Sequence, residues 1–344
     1  MGHKMILRRA LEIGISLACL YLALRTVHPR DLWQALRQAN ALGLAAFVVL
    51  MLIVLALKAW RWQLLFYPEY RVPFGPIASI LCVSYMVSNV LPGRVGELAR
   101  VVLLPAEQPV SAARTVSSII VERLLDLLCV LLLLLCLLPF VRLPAGIARG
   151  AAAVGLLAVA AVVALVVLSL AKERLLAWAR LILRHVRPLD RPQVYAGLAH
   201  LIDGFALLRG PLGLPIMALA LLSWAGVVGL AWTIAWAFHL AVPLTAVMFA
   251  VALTSLSMVL PSTPGYIGVF QYAVTLALMP WHVAPDQVAA YALAWWGMNY
   301  LVLTATGMVA MWVHGISFAQ VRGRTQPHGR TAEVIAPLDA SDAR

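Results

Sequence analysis

Apolar runs close to the length of a membrane-spanning helix recur along this sequence, and they constrain its fold more than any other feature. A transmembrane helix needs roughly 20 mostly apolar residues. Six segments reach or approach that length, and we predict a full transmembrane helix in each: 10–24, 41–57, 112–140, 150–170, 211–240 and 287–313. A short basic stretch precedes the first, but no clear signal-peptide cleavage site follows, so we predict that it is retained.

The composition excludes an ordinary soluble domain. Of the 344 residues, 63% are hydrophobic and 12% are charged, whereas soluble domains carry roughly 25% charged residues. The net charge is +12, which a membrane protein explains through basic cytoplasmic loops and contact with anionic lipid, so we predict no nucleic-acid partner. The four cysteines lie in apolar runs without a C-x-x-C pair, which argues against a disulfide framework and a zinc site.

A charged break at residues 88–100 interrupts one of the apolar regions. It combines three residues that disfavour a continuous helix with three charged residues: Pro92, Gly93 and Gly96, with Arg94, Glu97 and Arg100. Charges inside a bilayer are costly unless they line a path or meet partners. We therefore predict a broken helix whose charges lie near or inside the membrane.

A second break follows the apolar run 242–260 and is similar to the first. Val-Leu-Pro precedes both breaks, and Gly96 and Gly265 each lie four residues after the proline. The residues that mark the second break are Pro261, Pro264, Gly265, Gly268 and Gln271. Broken hydrophobic segments at corresponding positions of two halves are the best sequence indication of a transport site.

The basic residues predict how the two breaks lie in the membrane. The basic N-terminus and the Arg-rich segment 172–209 are expected in the cytoplasm. The broken segment 76–104 then starts and ends inside, and the second broken segment starts and ends outside. The expected fold class is an all-α polytopic membrane protein with about six full transmembrane helices and two re-entrant helical hairpins, related as an inverted repeat.

We expect a single transmembrane domain over residues 1–315. Its halves would be 41–171 and 211–315, joined by an amphipathic cytoplasmic segment at 172–210. Residues 316–344 are polar and predict a disordered cytoplasmic tail. Both termini would then be cytoplasmic, and the expected location is the cell (plasma or inner) membrane.

Charged residues also lie within the apolar segment 112–140. Glu122 and Asp126 are four residues apart, so they share a helix face with Ser118. We predict buried pairing, for example of Arg94 or Arg123 with one of these two acids. At the end of the second span, Lys58 and Arg61 stand beside tryptophans, which favours an interfacial anchor, with a lipid headgroup contact as the alternative.

Three motifs, in this order, resemble the flippase-like family. They are Leu-Pro-Gly-Arg-Val-Gly-Glu-Leu-Ala-Arg at 91–100, Glu-Arg-Leu-Leu-Asp at 122–126 and Leu-Pro-Ser-Thr-Pro-Gly-Tyr-Ile-Gly-Val-Phe at 260–270. The pair Arg61-Trp62 fits as well. The family is the membrane domain of lysylphosphatidylglycerol synthases and of stand-alone membrane proteins, and the resemblance covers roughly residues 5–315.

The resemblance implies a domain that moves a lipid or lipid-linked headgroup between leaflets. It indicates a polar core made of Arg94, Gly96, Glu97, Arg100, Glu122, Arg123 and Asp126. Many members carry Glu where this sequence has Gln271, which speaks against proton coupling or cation binding by an acid there. We expect a stand-alone member without the soluble aminoacyl-transfer domain.

The predicted substrate pathway comprises charged residues of both signs and one amide: Arg61, Arg94, Glu97, Arg100, Glu122, Arg123, Asp126 and Gln271. Arginines suit a phosphate through bidentate contacts, and the acids would balance them or take an amine. The structural alternative is a closed salt-bridge network that only holds the first hairpin in place.

Three classes of function remain open. We favour a lipid flippase or transporter over a membrane-embedded transferase acting on a lipid-linked substrate and over a non-transporting scaffold for an envelope-lipid enzyme. The sequence contains no Asp-x-Asp cluster and no histidine-containing metal motif, so we predict no enzyme activity, cofactor or metal. The predicted partner is a membrane lipid, either an anionic phospholipid or a polyprenyl or hopanoid-type lipid, and an envelope-lipid enzyme is a further candidate.

Overall fold

The computed structural model describes residues 37–91, 95–137, 210–258 and 263–314, together with isolated positions elsewhere. In these ranges the regular structure is helical. The α-helices are α1 (Ala41–Leu64), α2 (Phe74–Val90), α3 (Val95–Glu107), α4 (Ala112–Leu137), α5 (Gly213–Ala237), α6 (Leu244–Ser257), α7 (Val269–Leu278) and α8 (Pro285–His314), with 3-10 turns at Pro264–Tyr266 and Met279–Trp281. The predicted all-α class is confirmed for this part of the chain.

Three of these helices are long and apolar enough to cross a membrane. They are α1, α5 and residues Pro285–Val313 of α8, with 24, 25 and 29 residues. At 1.5 Å per residue each exceeds the roughly 30 Å of a bilayer core. They correspond to the predicted spans 41–57, 211–240 and 287–313.

The helix α4 corresponds to the predicted span 112–140. It has 26 residues and carries its charges in its first half. Four other predictions lie outside the described residues: the spans 10–24 and 150–170, the amphipathic segment 172–210 and the tail 316–344.

The second predicted span is longer than the sequence indicated. Helix α1 continues past Leu57 to Leu64. Arg61 and Trp62 are both 0% exposed, because Arg61 pairs with acids of α4 and Trp62 packs on Phe66 with ring centroids 5.6 Å apart. The interpretation as an interfacial anchor is therefore wrong for these two residues.

The first break joins two short helices that pack against each other. Helices α2 and α3 have 17 and 13 residues, or about 26 and 20 Å, each shorter than a bilayer core. A Cβ at Gly96 would overlap the carbonyl oxygen of Ser84 and the hydroxyl of Ser88. Glycine therefore permits the two helix backbones to meet, and they form a helical hairpin.

The second break has the same arrangement. Helix α6 has 14 residues and α7 has 10, and the two pack together. The segment between them includes Gly265 and Gly268, with φ of 72° and 83°, a left-handed conformation that glycine adopts without strain. A Cβ at Gly265 would lie 3.8 Å from the backbone oxygen of Asn89, so the two breaks meet inside the protein.

The helices are held together by two apolar clusters. One joins α1 to α5–α8 and includes Phe47, Ile234 and Val274. The other joins α1–α4 and includes Trp62 and Ile77. Large apolar side chains also cover the outer surface, among them Leu52 (49% exposed), Leu301 (64%) and Trp312 (85%), as expected for a surface that contacts lipid.

Candidate functional site

A buried ion network lies where α1, α3 and α4 meet. Glu122 of α4 is its centre, with its side chain 1% exposed. It accepts a 2.8 Å hydrogen bond from Arg100 Nη1 and a 3.1 Å bond from Arg123 Nη2. Arg61 Nη2 lies 3.6 Å from Glu122 Oε1. Three guanidinium groups therefore surround one carboxylate.

Asp126 extends the network by one helical turn. Its Oδ1 accepts a 2.8 Å hydrogen bond from Arg61 Nη1 and a 3.2 Å bond from Trp224 Nε1 of α5. Its Oδ2 lies 3.8 Å from Arg123 Nη1. Arg123 was predicted to pair with one of the two acids and lies near both, and Arg100, one of the arginines that the acids were predicted to balance, pairs with Glu122. Arg61 is a further partner that the sequence did not indicate.

Hydroxyl and aromatic groups complete the surroundings of the buried arginines. Arg100 Nε donates a 3.0 Å hydrogen bond to Ser84 Oγ. The Arg100 guanidinium also lies over the rings of Trp62 and Tyr85, at 4.9 and 5.4 Å from their centroids. Trp62 Nε1 donates to Ser118 Oγ at 3.0 Å, on the helix face that Ser118 was predicted to share with the two acids.

Helical spacing explains why these groups converge. Glu122 and Asp126 lie on one face of α4, and that face packs against α1 and α3. An unpaired charge in this interior would be expensive, because removing one partner of a buried pair typically costs about 3–5 kcal/mol. The network is therefore a strong constraint on how the first hairpin sits against α1 and α4.

A cavity of about 280 Å³ adjoins the network, and all eight described helices contribute to its lining. Its charged lining residues are Lys58, Glu97, Arg100 and Arg123, all from α1, α3 and α4. Helices α6–α8 and the second break supply hydroxyl, amide and aromatic groups: Thr254, Ser255, Tyr266, Phe270, Trp295, Trp296, Asn299 and Tyr300. The cavity thus has a charged side and an aromatic, uncharged side.

Three charged side chains of the lining, those of Lys58, Glu97 and Arg123, are partly exposed. Arg123 is 39% exposed and Glu97 is 33% exposed, and Arg123 Nε lies 3.5 Å from Glu97 Oε1. Arg100 also lines the cavity but is 1% exposed. A ligand entering the cavity would therefore meet Glu97 and Arg123 before the buried network.

The predicted site residues divide into three groups. Glu97, Arg100 and Arg123 line the cavity, while Arg61, Glu122, Asp126 and Gln271 are buried outside its lining. Of the residues that mark the breaks, Gly96 lies in α3, Pro264 and Gly265 lie in a 3-10 turn, and Gly268 precedes α7. Pro92, Gly93, Arg94 and Pro261 lie outside the described residues.

Gln271 acts locally at the start of α7. Its side-chain oxygen accepts a 2.7 Å hydrogen bond from the backbone N–H of Gly268, and the side chain is buried. This satisfies a backbone donor at a helix N-terminus. The residue predicted to belong to the pathway thus has a clear role in holding the second break.

Sequence reasoning did not place Lys58, Tyr85 and Asn89 in the predicted pathway, although all three line the cavity. Lys58 carries the clearest sequence signal, because it lies three residues before Arg61 and therefore on the same face of α1. Among the described residues no group of three or more His, Cys, Asp or Glu side chains is placed to hold a metal ion.

Membrane-spanning helices that enclose a partly charged cavity define a multi-pass helical membrane protein. The chain belongs to the family of the lysylphosphatidylglycerol synthase transmembrane region, whose model matches residues 9–307. The suspected resemblance is therefore confirmed, and the family makes this a lipid-related membrane protein. No match to the sequence was found among curated proteins.

Proposed function

We propose that the protein is a lipid transporter of the flippase type, which moves the headgroup of a phospholipid or lipid-linked molecule between leaflets. The observation that carries this proposal is the cavity lined by both hairpins and the other described helices, with the partly exposed Glu97 and Arg123 in its lining. A headgroup that crosses hydrocarbon needs polar partners along its path. The cavity offers charges of both signs, while the outer helix surfaces remain apolar.

The helix contacts support an internal repeat, and the predicted topology would make it an inverted one. Suppose that α1, α2, α3 and α4 correspond to α5, α6, α7 and α8. The contact of α2 with α8 then has its counterpart in the contact of α6 with α4. The contacts α1–α2, α2–α3 and α3–α4 have theirs in α5–α6, α6–α7 and α7–α8, and all of these contacts exist. Helices α1 and α5, which this exchange swaps, pack along each other. Such repeats surround the substrate sites of many transporters.

The starts of the two hairpins support the same relation. Val72-Pro73 precedes α2 and Val242-Pro243 precedes α6. Both prolines are extended, with ψ of 150° and 158°, and occupy the N-cap position of their helices. Corresponding chain positions in the two halves therefore share residue types and backbone conformation.

The proposal also covers the location, the topology and the partners of the protein. We place it in the cell (plasma or inner) membrane with both termini in the cytoplasm, since the basic segments require this under the positive-inside rule. Its partner is a membrane lipid, with an envelope-lipid enzyme as a further candidate. We propose transport without chemical conversion, since the sequence offers no Asp-x-Asp cluster and no histidine-containing metal motif.

The test is lipid movement in vesicles that contain the purified protein and fluorescent phospholipid or polyprenyl-phosphate analogues. Wild type should speed the exchange between leaflets, whereas Glu97→Gln and Arg123→Gln should lose most of it because each removes a charge that faces the cavity. Glu107→Gln is the matched control, since Glu107 lies on the same helix, is exposed and does not line the cavity.

Folding is checked by size-exclusion chromatography and thermal unfolding of each variant. If the protein converts a lipid chemically without moving it, the transferase hypothesis replaces the transport hypothesis. If neither wild type nor any of the three variants moves or converts any tested lipid, the scaffold hypothesis is favoured.

A further inference from the structure

Lys58 differs from the other cations of the site. It lies on α1, is partly buried and lines the cavity. Within the described part of the chain it forms no ion pair, and its amine lies 5.8 Å from the ring centroid of Tyr85. Arg61, Arg100 and Arg123, in contrast, each have a carboxylate oxygen within 3.1 Å.

The charges around the cavity are therefore unequal. Among the described residues around the cavity, four cations, Lys58 and the three arginines, face three carboxylates, those of Glu97, Glu122 and Asp126. Each arginine has a carboxylate oxygen within 3.1 Å, whereas Lys58 attracts Asp126 without forming an ion pair with it, so Lys58 is the cation of this group that is available to a further anion. A partly buried charge of this kind is stabilised by an opposite charge or by water.

Two neutral groups of the cavity lining also lack partners. Tyr85 OH and Asn89 Nδ2 are buried atoms without a hydrogen-bond partner, and both residues line the cavity. A phenol O–H, an amide N–H and an ammonium are all donors. Buried donors are normally satisfied, so this group is suited to an oxygen-rich anion.

We infer that Lys58, Tyr85 and Asn89 bind the oxyanion of a headgroup that carries one net negative charge, such as a phosphodiester with an uncharged polyol. One negative charge balances the excess positive charge of this group. The uncharged remainder of the headgroup fits the hydroxyl and aromatic side formed by Thr254, Trp296 and Tyr300.

A zwitterionic headgroup fits less well. It brings no net charge, so the excess positive charge would remain. Its ammonium would also need a carboxylate, and the accessible carboxylate of the lining, Glu97, is already 3.5 Å from Arg123. The aromatic side can attract an ammonium through cation–π contact, which makes a choline headgroup the stringent comparison.

The inference deepens the proposed function, and binding tests it without requiring transport. The probes are dioctanoyl-phosphatidylglycerol, dioctanoyl-phosphatidylcholine and glycerophosphoglycerol, which is the same phosphodiester without acyl chains. Binding to the purified full-length protein is followed by native mass spectrometry. Wild type should bind the phosphatidylglycerol probe about tenfold more tightly or better than the choline probe, the scale of one charge-assisted hydrogen bond.

Lys58→Gln should weaken binding of the phosphatidylglycerol probe about tenfold or more and remove most of its advantage over the choline probe. Lys58→Arg should retain most of the affinity. The matched control is Arg71→Gln, which removes an exposed charge outside the cavity. If Lys58→Gln fails to fold, Asn89→Asp provides the second variant, because a carboxylate there should repel the anion.

Equal affinity of wild type for the two lipid probes, or unchanged phosphatidylglycerol binding in folded Lys58→Gln, would overturn the inference. If glycerophosphoglycerol binds as tightly as the lipid, the oxyanion site is supported and its ligand is a free phosphodiester. That result would contradict the lipid part of the proposed function. Lys58-dependent lipid binding without lipid movement supports the inference and rejects the transporter proposal.

Discussion

Arg61 and Asp126 lie 65 positions apart in the sequence and share a buried hydrogen bond of 2.8 Å between Nη1 and Oδ1. The same carboxylate oxygen accepts from Trp224 at 3.2 Å. One side chain of α4 therefore joins α1 of the first half to α5 of the second. Because both partners are held in an apolar interior, this bond ties the position of the charged side of the cavity to the packing of the two halves.

The first prediction concerns the pair itself. Arg61→Met should lower the free energy of unfolding by about 3–5 kcal/mol, because it leaves Asp126 buried with less compensation. The measurement is thermal or denaturant unfolding in detergent, with Arg71→Met as the exposed control. The double variant Arg61→Met/Asp126→Leu should recover part of the loss. Additive losses in the double variant would show that the two groups are not energetically coupled.

The second prediction concerns the close approach in the first hairpin. Gly96→Ala should destabilise the protein by about 1–3 kcal/mol, the usual cost of overpacking, because its Cβ would overlap the backbone of α2. Gly297→Ala is the control, since a Cβ there meets nothing within 4 Å and alanine favours a helix interior. A comparison of melting temperatures separates the two. Equal stability of both variants would contradict the packing of α2 on α3.

The third prediction concerns Gln271. Gln271→Leu should cost about 0.5–2 kcal/mol, the range for losing an N-terminal helix cap, since the Gly268 N–H would lose its acceptor. Gln271→Glu keeps an acceptor, and its charge is favourable at a helix N-terminus. Denaturant unfolding should rank wild type and Gln271→Glu above Gln271→Leu. The reverse order of the two variants would rule out the cap.

The fourth prediction concerns the orientation of the two breaks. Single cysteines at Val95 and Ile267, in a background without the four native cysteines, should react with an impermeant maleimide from opposite sides of the membrane. Ile267 is 38% exposed, so the reagent can reach it. A cysteine at the exposed Glu69, in the loop between α1 and α2, marks the side predicted to be cytoplasmic. Labelling of both sites from one side would argue against the inverted arrangement.

The positions of the two breaks could be predicted from short sequence patterns. Val-Leu-Pro followed by Gly96 and Gly265 indicated two interruptions at corresponding positions, because proline and glycine act on their own backbone. A further similarity between the two hairpins is the Val-Pro dipeptide that precedes both α2 and α6. Sequence inspection missed it, since its meaning depends on where the helices start.

The roles of individual charged residues could not be predicted from the sequence in the same way. Arg61, Arg100 and Arg123 are alike in sequence, yet Arg61 is fully buried, Arg100 bonds both Ser84 and Glu122, and Arg123 is accessible in the cavity. Lys58 was interpreted as an anchor, although it lines the cavity. These differences arise from contacts between segments that are distant in the chain.

The sequence by itself determined the helical membrane class, three of the predicted spans, the positions of the breaks and the shared face of Glu122 and Asp126. Each of these follows from local length, apolarity and helical spacing. Only the tertiary structure decided which charges pair, which remain accessible and that Lys58 lines the cavity. Pairing is set by distances across helix interfaces, and no spacing within a single segment encodes those distances.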